Sequence, residues 1–114
     1  MNLDDFLKQL EHNPEQIEFN DTMATIEANY NFTPSSFVNG DTVNEANQNN
    51  GSCKIFSFGL LNELSEQQTL ACFGGYYRDD VLGNPNGDDH QNIRNFMVSG
   101  WKGVKFDSAT LTEK

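Results

Sequence analysis

The spacing of apolar residues changes several times along this chain, and each change predicts an element. Leu3, Phe6, Leu7 and Leu10 recur at the i, i+3, i+4, i+7 spacing of one helix face. Asn2 is placed to cap that helix, and Asp4 and Asp5 suit the positive end of its dipole. Pro14 stops it. A second helix is predicted from a cap at Asn20 or Asp21, burying Met23, Ile26 and Tyr30 with Ala24 and Ala28 beside them and ending before Pro34. The period then shortens. In "SFVNGDTV", Phe37, Val38 and Val43 flank Asn39-Gly40, a pair suited to the positive φ angles of a type I′ turn, so a hairpin is predicted. An isolated hairpin is marginal in water, and "GVKFD", from Gly103 to Asp107, is the further strand it needs.

"CKIFSFGLLNEL" carries Cys53, Ile55, Phe56, Phe58, Leu60, Leu61 and Leu64, leaving little polar face at either period, the pattern of a buried central helix. Ser65 with Gln68 forms a capping box for the next helix, where Leu70, Phe73 and Tyr77 share a face and Gly83 and Pro85 bring the stop. The last helix covers "HQNIRNFMVSG", capped by Asp88 or Asp89, burying Ile93, Phe96 and Met97 and ending at Gly100. These elements predict an α+β fold, mainly helical, with about five helices around a Phe-rich core and a small antiparallel hairpin or sheet. At 114 residues there is room for one domain, expected over 1–107, with a frayed tail over 108–114 that has almost nothing to bury.

Charge narrows the function classes. Seventeen acids against seven Lys and Arg give a net charge of −10, and the few basic residues are spread from Lys8 to Lys114. That distribution cannot meet a run of phosphates, so a nucleic-acid partner is not expected. No apolar run approaches the roughly 18 residues of a membrane span, and "MNLDDFLKQL" has acid where a signal peptide has base. A soluble, intracellular protein without a membrane partner is expected, with Cys53 and Cys72 as free thiols.

The stretch "NEANQNNGSCKIFSFG" holds the main candidate chemistry. A helix starting at Ser52 or Cys53 would place the thiol among unpaired N–H groups, where the dipole and Lys54 favour a thiolate. The base would be His90, which "DDHQN" sets beside Asp89, so Cys53, His90 and Asp89 form a candidate catalytic set. The structural alternative makes Cys53 a small core residue and "DDHQN" a helix cap with a surface histidine. Asn44, Asn47, Gln48, Asn49 and Asn50 serve either to hold an irregular loop or to bind a polar ligand. The acids around Gly87 do not match a calcium loop, because counting back from that glycine puts Leu82 at the first ligand position. The cysteines and histidines lack the close pairs of a zinc site, so no metal or cofactor is expected.

The blocks "IEFNDTMATIEANYNFTP", "NEANQNNGSCKIFSFG", "LSEQQTLACFGGYYRDDVL" and "GDDHQNIRNFMVSGWKGV" make the chain resemble the HopJ family of type III effectors, over nearly everything from Leu3 to Phe106. The resemblance implies a protein of a class injected into host cells, whose founding member came from plant-pathogenic bacteria. It carries over no activity, cofactor or catalytic residue. Many members of the family fit an ordinary role in the bacterial cytoplasm. Three functions are therefore weighed: a HopJ-like effector or effector-related protein that binds a protein partner, a small thiol-dependent enzyme using Cys53 with His90, and an acidic chaperone-like protein. Whether the chain is an enzyme, and its oligomeric state, stay open at this point.

Overall fold

The computed structural model describes residues 2–114. Its α-helices are α1 (Leu3–His12), α2 (Phe19–Asn29), α3 (Asn50–Leu61), α4 (Glu66–Ala71) and α5 (Gln91–Ser99). Two small antiparallel sheets accompany them. In one, β2 (Phe37–Asn39) lies between β3 (Thr42–Asn44) and β4 (Val104–Phe106); in the other, β1 (Tyr30–Phe32) pairs with β5 (Leu111–Glu113). The class is α+β and mainly helical, as the apolar periods predict.

Helix α3 organises the core because alternate phenylalanines on it serve different neighbours. The Phe56 ring meets Phe37, Phe73, Phe96 and Trp101 at centroid separations of 6.1, 5.7, 4.9 and 6.3 Å, joining α3 to the sheet, to the turn after α4 and to α5. Phe58 meets Phe6 and Tyr30 at 5.7 and 5.9 Å, joining it to α1 and β1. Both are completely buried. The buried block stops at Gly59, against which Trp101 and Thr69 pack so closely that an added Cβ would lie 2.8 and 2.9 Å from them. Leu60 and Leu61, expected in the core, are 49% and 53% exposed.

Several local expectations hold. Asn2 Oδ1 accepts from the Asp5 N–H at 2.8 Å, capping α1. The capping box of α4 is reciprocal: Ser65 Oγ accepts from Gln68 N at 3.1 Å and Gln68 Oε1 accepts from Ser65 N at 3.0 Å. The strand predicted at "GVKFD" pairs with β2 through Val38↔Lys105.

Others are corrected. Helix α2 buries Thr22, Thr25 and Ile26, while Ala24 and Ala28 face solvent. The threonines can be buried because Thr22 Oγ1 donates to Cys72 O and Thr25 Oγ1 to Asp21 O, each at 2.8 Å, leaving neither hydroxyl unsatisfied. The start of α2 lies earlier than Asn20, where Asp21 Oδ2 accepts from Glu18 N at 3.1 Å. The hairpin loop is Gly40-Asp41 rather than Asn39-Gly40, and only Gly40 has positive φ, the pattern of a type II′ turn. Asn39 is thereby a strand residue facing inward. The tail expected to fray instead forms β5, with Thr110 and Leu111 only 3% and 4% exposed. Its apolar content is small, but β1 supplies its backbone partners.

Gly74 explains why α4 stops short of Tyr77. With φ +60 it turns the chain left-handed, and a Cβ there would lie 2.5 Å from the backbone nitrogen of Phe19. After it comes a π-helical turn over Tyr76–Val81, closed by Leu82 N donating to Tyr77 O at 3.0 Å. This turn brings Tyr76 and Asp80 to His90 at the start of α5. Gly74→Ala should therefore cost about 2–4 kcal/mol in urea unfolding, from left-handed strain plus a backbone clash. Gly75→Ala meets only the flexible Asp79 carboxylate at 3.2 Å and should stay within about 0.5 kcal/mol of wild type.

Candidate functional site

Two helices begin at the same place on the surface. The residues that open them, Asn49 before α3 and His90 before α5, are both left-handed, with φ 53 and φ 50. Asn and His tolerate that conformation better than most residues, but in it neither side chain caps its helix. Among the described residues, the N–H groups of Asn50, Gly51, Ser52, Gln91, Asn92 and Ile93 find no acceptor. The cap expected from Asp88 or Asp89 on α5 is thus absent, and the first turns of both helices keep their donors free.

A cleft of about 440 Å³ lies between these two ends, lined by Gly51 and Ser52 of α3, by His90, and by Gln91, Asn92 and Ile93 of α5. Phe19 and Tyr76 form an aromatic wall, their rings 5.0 Å apart and edge-on, with His90 5.4 Å from Tyr76. His90 Nε2 lies 3.1 Å from Asp80 Oδ2 and 3.9 Å from Asp89 Oδ2. Asp89 turns mainly to Arg94, at 2.6 Å, whose hydrogen bond holds the Asp89 carboxyl below the usual carboxylate range. The imidazole is therefore oriented chiefly by Asp80, which the sequence places ten positions away across a loop.

Behind the cleft is a buried amide cluster. Asn92 Nδ2 donates to Asn44 Oδ1 at 3.0 Å and Asn44 Nδ2 returns a bond to Asn92 Oδ1 at 3.2 Å. Asn39 Nδ2 donates to the Asn92 carbonyl at 2.7 Å, and Asn49 Nδ2 to Asn44 Oδ1 at 2.7 Å. Asn44, Asn92 and Asn39 are 1%, 6% and 0% exposed. The cluster ties β2, β3 and the entrance of α3 to the first turn of α5. For Asn44 and Asn49, the amide run holds structure. Asn39, expected as a turn residue, and Asn92 gave no sign in the sequence of this buried pairing, because their partners lie 48 and 53 positions away.

The thiols are elsewhere. Cys53 is 1% exposed, and its sulfur faces the Ser35 carbonyl at 3.8 Å, away from the cleft-lining residues. Burial pushes its pKa up, outweighing the hydrogen bonds at Ser35 and Thr110 and the charge of Lys54. The expected thiolate-favouring environment is corrected on this point: the helix start is there, but the side chain points into the core. Lys54 sets its ammonium 4.9 Å over the Phe32 ring. No hydrogen bond joins Cys53 to His90 or Asp89 among the described residues. Cys72 is a core residue whose burial pushes its pKa up to about 12. Among the described residues, no three His, Cys, Asp or Glu side chains are grouped to hold a metal ion, and no helix is long and apolar enough to cross a membrane.

The family model described as "HopJ type III effector protein" matches residues 3–111. A crystal structure described as that of "unknown function protein VPA0580" has 61% sequence identity and a TM-score of 0.99, over 100% of this chain and 95% of that one. No curated protein matches.

Asn92→Leu keeps the size of the side chain but strips Asn44 of its partner and leaves buried amide groups unpaired. It should cost about 2–3 kcal/mol in urea unfolding. Asn49→Ala loses one hydrogen bond and puts alanine at the left-handed φ of 53, and should cost about 1–2 kcal/mol.

Proposed function

Because this chain belongs to the HopJ type III effector family, we propose that it acts by binding a protein partner, and that the cleft between the starts of α3 and α5 receives an extended segment of that partner. One observation carries the reading: Gly51, Ser52, Gln91, Asn92 and Ile93, whose first-turn N–H groups have no acceptor among the described residues, all line one open cleft. A ligand for such a site must bring hydrogen-bond acceptors. Main-chain carbonyls of an extended segment do so without adding anionic charge, which a chain of net charge −10 would repel. Phe19 and Tyr76 offer an apolar wall for one side chain of that segment. The partner is a host protein where the chain is delivered into another cell, and a bacterial one where it stays in the cytoplasm.

The test is a photo-crosslinking residue placed at Gln91, in the cleft, and at Glu27, exposed on α2 and no part of the cleft wall. A defined adduct should form from position 91 and not from position 27. The purified adduct protein should then lose at least about tenfold in affinity for the Gln91→Trp variant, which fills the cleft. Equal binding by wild type and the filled variant sinks the reading.

The thiol-enzyme reading with Cys53, His90 and Asp89 retains one supporting observation, the orientation of His90 by Asp80 at the cleft. It requires a reactive sulfur. Iodoacetamide labelling of Cys53 with Cys72→Ser as background should show slow reaction, a midpoint no lower than the ~8.5 of a free thiol, and no change on His90→Ala. Rapid labelling with an acidic midpoint that moves in His90→Ala would reinstate the enzyme.

A further inference from the structure

The π-helical turn borders two separate recesses. Tyr76 lines the cleft described above, whereas the next two residues, Tyr77 and Arg78, line a groove of about 280 Å³ formed with the end of α1, the 3₁₀ turn Pro14–Gln16 and α4. Its floor is apolar: Leu10 and Ala71 are buried, and Pro14 and Tyr77 are half-buried beside them. Small-molecule sites run from about 300 to 1,000 Å³ and enclose most of their ligand. A groove below that range suits one apolar side chain presented by a partner rather than a whole cofactor.

Charge selects the partner. Glu11 and Glu15 line the groove, both are exposed, and neither forms an ion pair among the described residues. Arg78, the one base among the described lining residues, is already engaged. Its Nη2 donates to Ile17 O at 2.7 Å and lies 3.5 Å from Glu18 Oε1, and its Nη1 donates to Pro14 O at 3.4 Å. The rim therefore sets two uncompensated carboxylates beside an apolar floor, and Lys or Arg is what pairs with them. The same carboxylates repel a phosphate-bearing surface, and a second copy of this chain would bring a net charge of −10 against them. No strand contributes to the lining among the described residues, so main-chain pairing supplies nothing and side chains must. That is the mode of a helix laid in a groove, with its anchor on one face and its bases about one turn away.

We propose that this groove docks an amphipathic basic helix of a partner protein, whose aliphatic or aromatic anchor packs on Leu10, Ala71 and Tyr77 while neighbouring Lys or Arg residues pair with Glu11 and Glu15. The groove shares no lining residue with the α3/α5 cleft, and the inference does not depend on what that cleft binds.

The probe is a synthetic Lys/Ala/Leu helical peptide with one Trp in its apolar face and a dye at one end, titrated into the full chain by fluorescence anisotropy, with backbone-amide NMR shifts locating the contact. Binding should saturate below about 1 mM peptide, with the largest shifts at Glu11, Glu15, Gln67, Ala71 and Tyr77. Gln67→Trp, which fills the groove from an exposed lining position, should weaken binding at least about tenfold, while Glu27→Trp, exposed on α2 and no part of the lining, should leave it unchanged. Glu11→Gln combined with Glu15→Gln should weaken it about threefold and flatten its dependence on salt. Exchanging the peptide's Trp for Ala, or its Lys residues for Glu, should abolish saturation. Absence of saturation by the parent peptide overturns the proposal. Equal affinity for wild type and Gln67→Trp, or shifts spread over the whole acidic surface, also overturns it, since attraction to charge alone would then explain the binding. Concentration-dependent dimerisation in sedimentation that Gln67→Trp abolishes would make a second copy the occupant and overturn it as well.

Discussion

The reciprocal amide pair between Asn44 and Asn92 is the constraint around which the functional face is built. Two primary amides buried in a core are costly unless each donor and acceptor is matched. Here they match each other, with Asn39 and Asn49 bonding at the margins. That requirement sets β3 against the first turn of α5 at hydrogen-bonding distance. Through Asn49 it also brings the start of α3 to the same spot. This polar cluster joins the two helix starts, and the cleft lies between them.

The apolar half of the molecule does the complementary work. Phe56 and Phe58, two positions apart on α3, point to different neighbours, so one helix clamps the sheet, the turn after α4 and α5 with one ring and α1 and β1 with the other. With α3 committed on both sides, its first turn cannot present Cys53 to solvent. The sulfur faces the Ser35 carbonyl while Ser52, its neighbour, lines the cleft. One residue of rotation on a helix, about 100°, separates a surface nucleophile from a core thiol, and packing decides which is obtained.

This HopJ-family chain provides a helical scaffold with a recess between the starts of α3 and α5, and the Cys53 thiol is kept inside. Asp80 holding His90 and Arg94 holding Asp89 shape the rim of that recess. Both pairs bridge segments that the loop after the π-helical turn brings together.

Local order was written plainly in the chain. The cap at Asn2, the Ser65/Gln68 box, the stop at Gly100, the apolar run of α3 and the strand at "GVKFD" all follow from interactions reaching no more than four residues or from a repeated period, and these are visible in sequence. What depended on distant partners was not. The burial of Thr22 and Thr25 needed acceptors, one of them on Cys72; β5 needed the edge of β1; the break after α4 needed the approach of Phe19 to Gly74. The candidate trio Cys53, His90 and Asp89 was assembled from residues each plausible locally, whereas the direction of the Cys53 side chain and the pairing of His90 with Asp80 were set by packing. The sequence by itself determined that these segments form helices, and it determined the caps of α1 and α4, because those are properties of short segments. Only the tertiary structure decided which polar groups face one another, because a hydrogen bond between residues 44 and 92 leaves no trace in the neighbours of either.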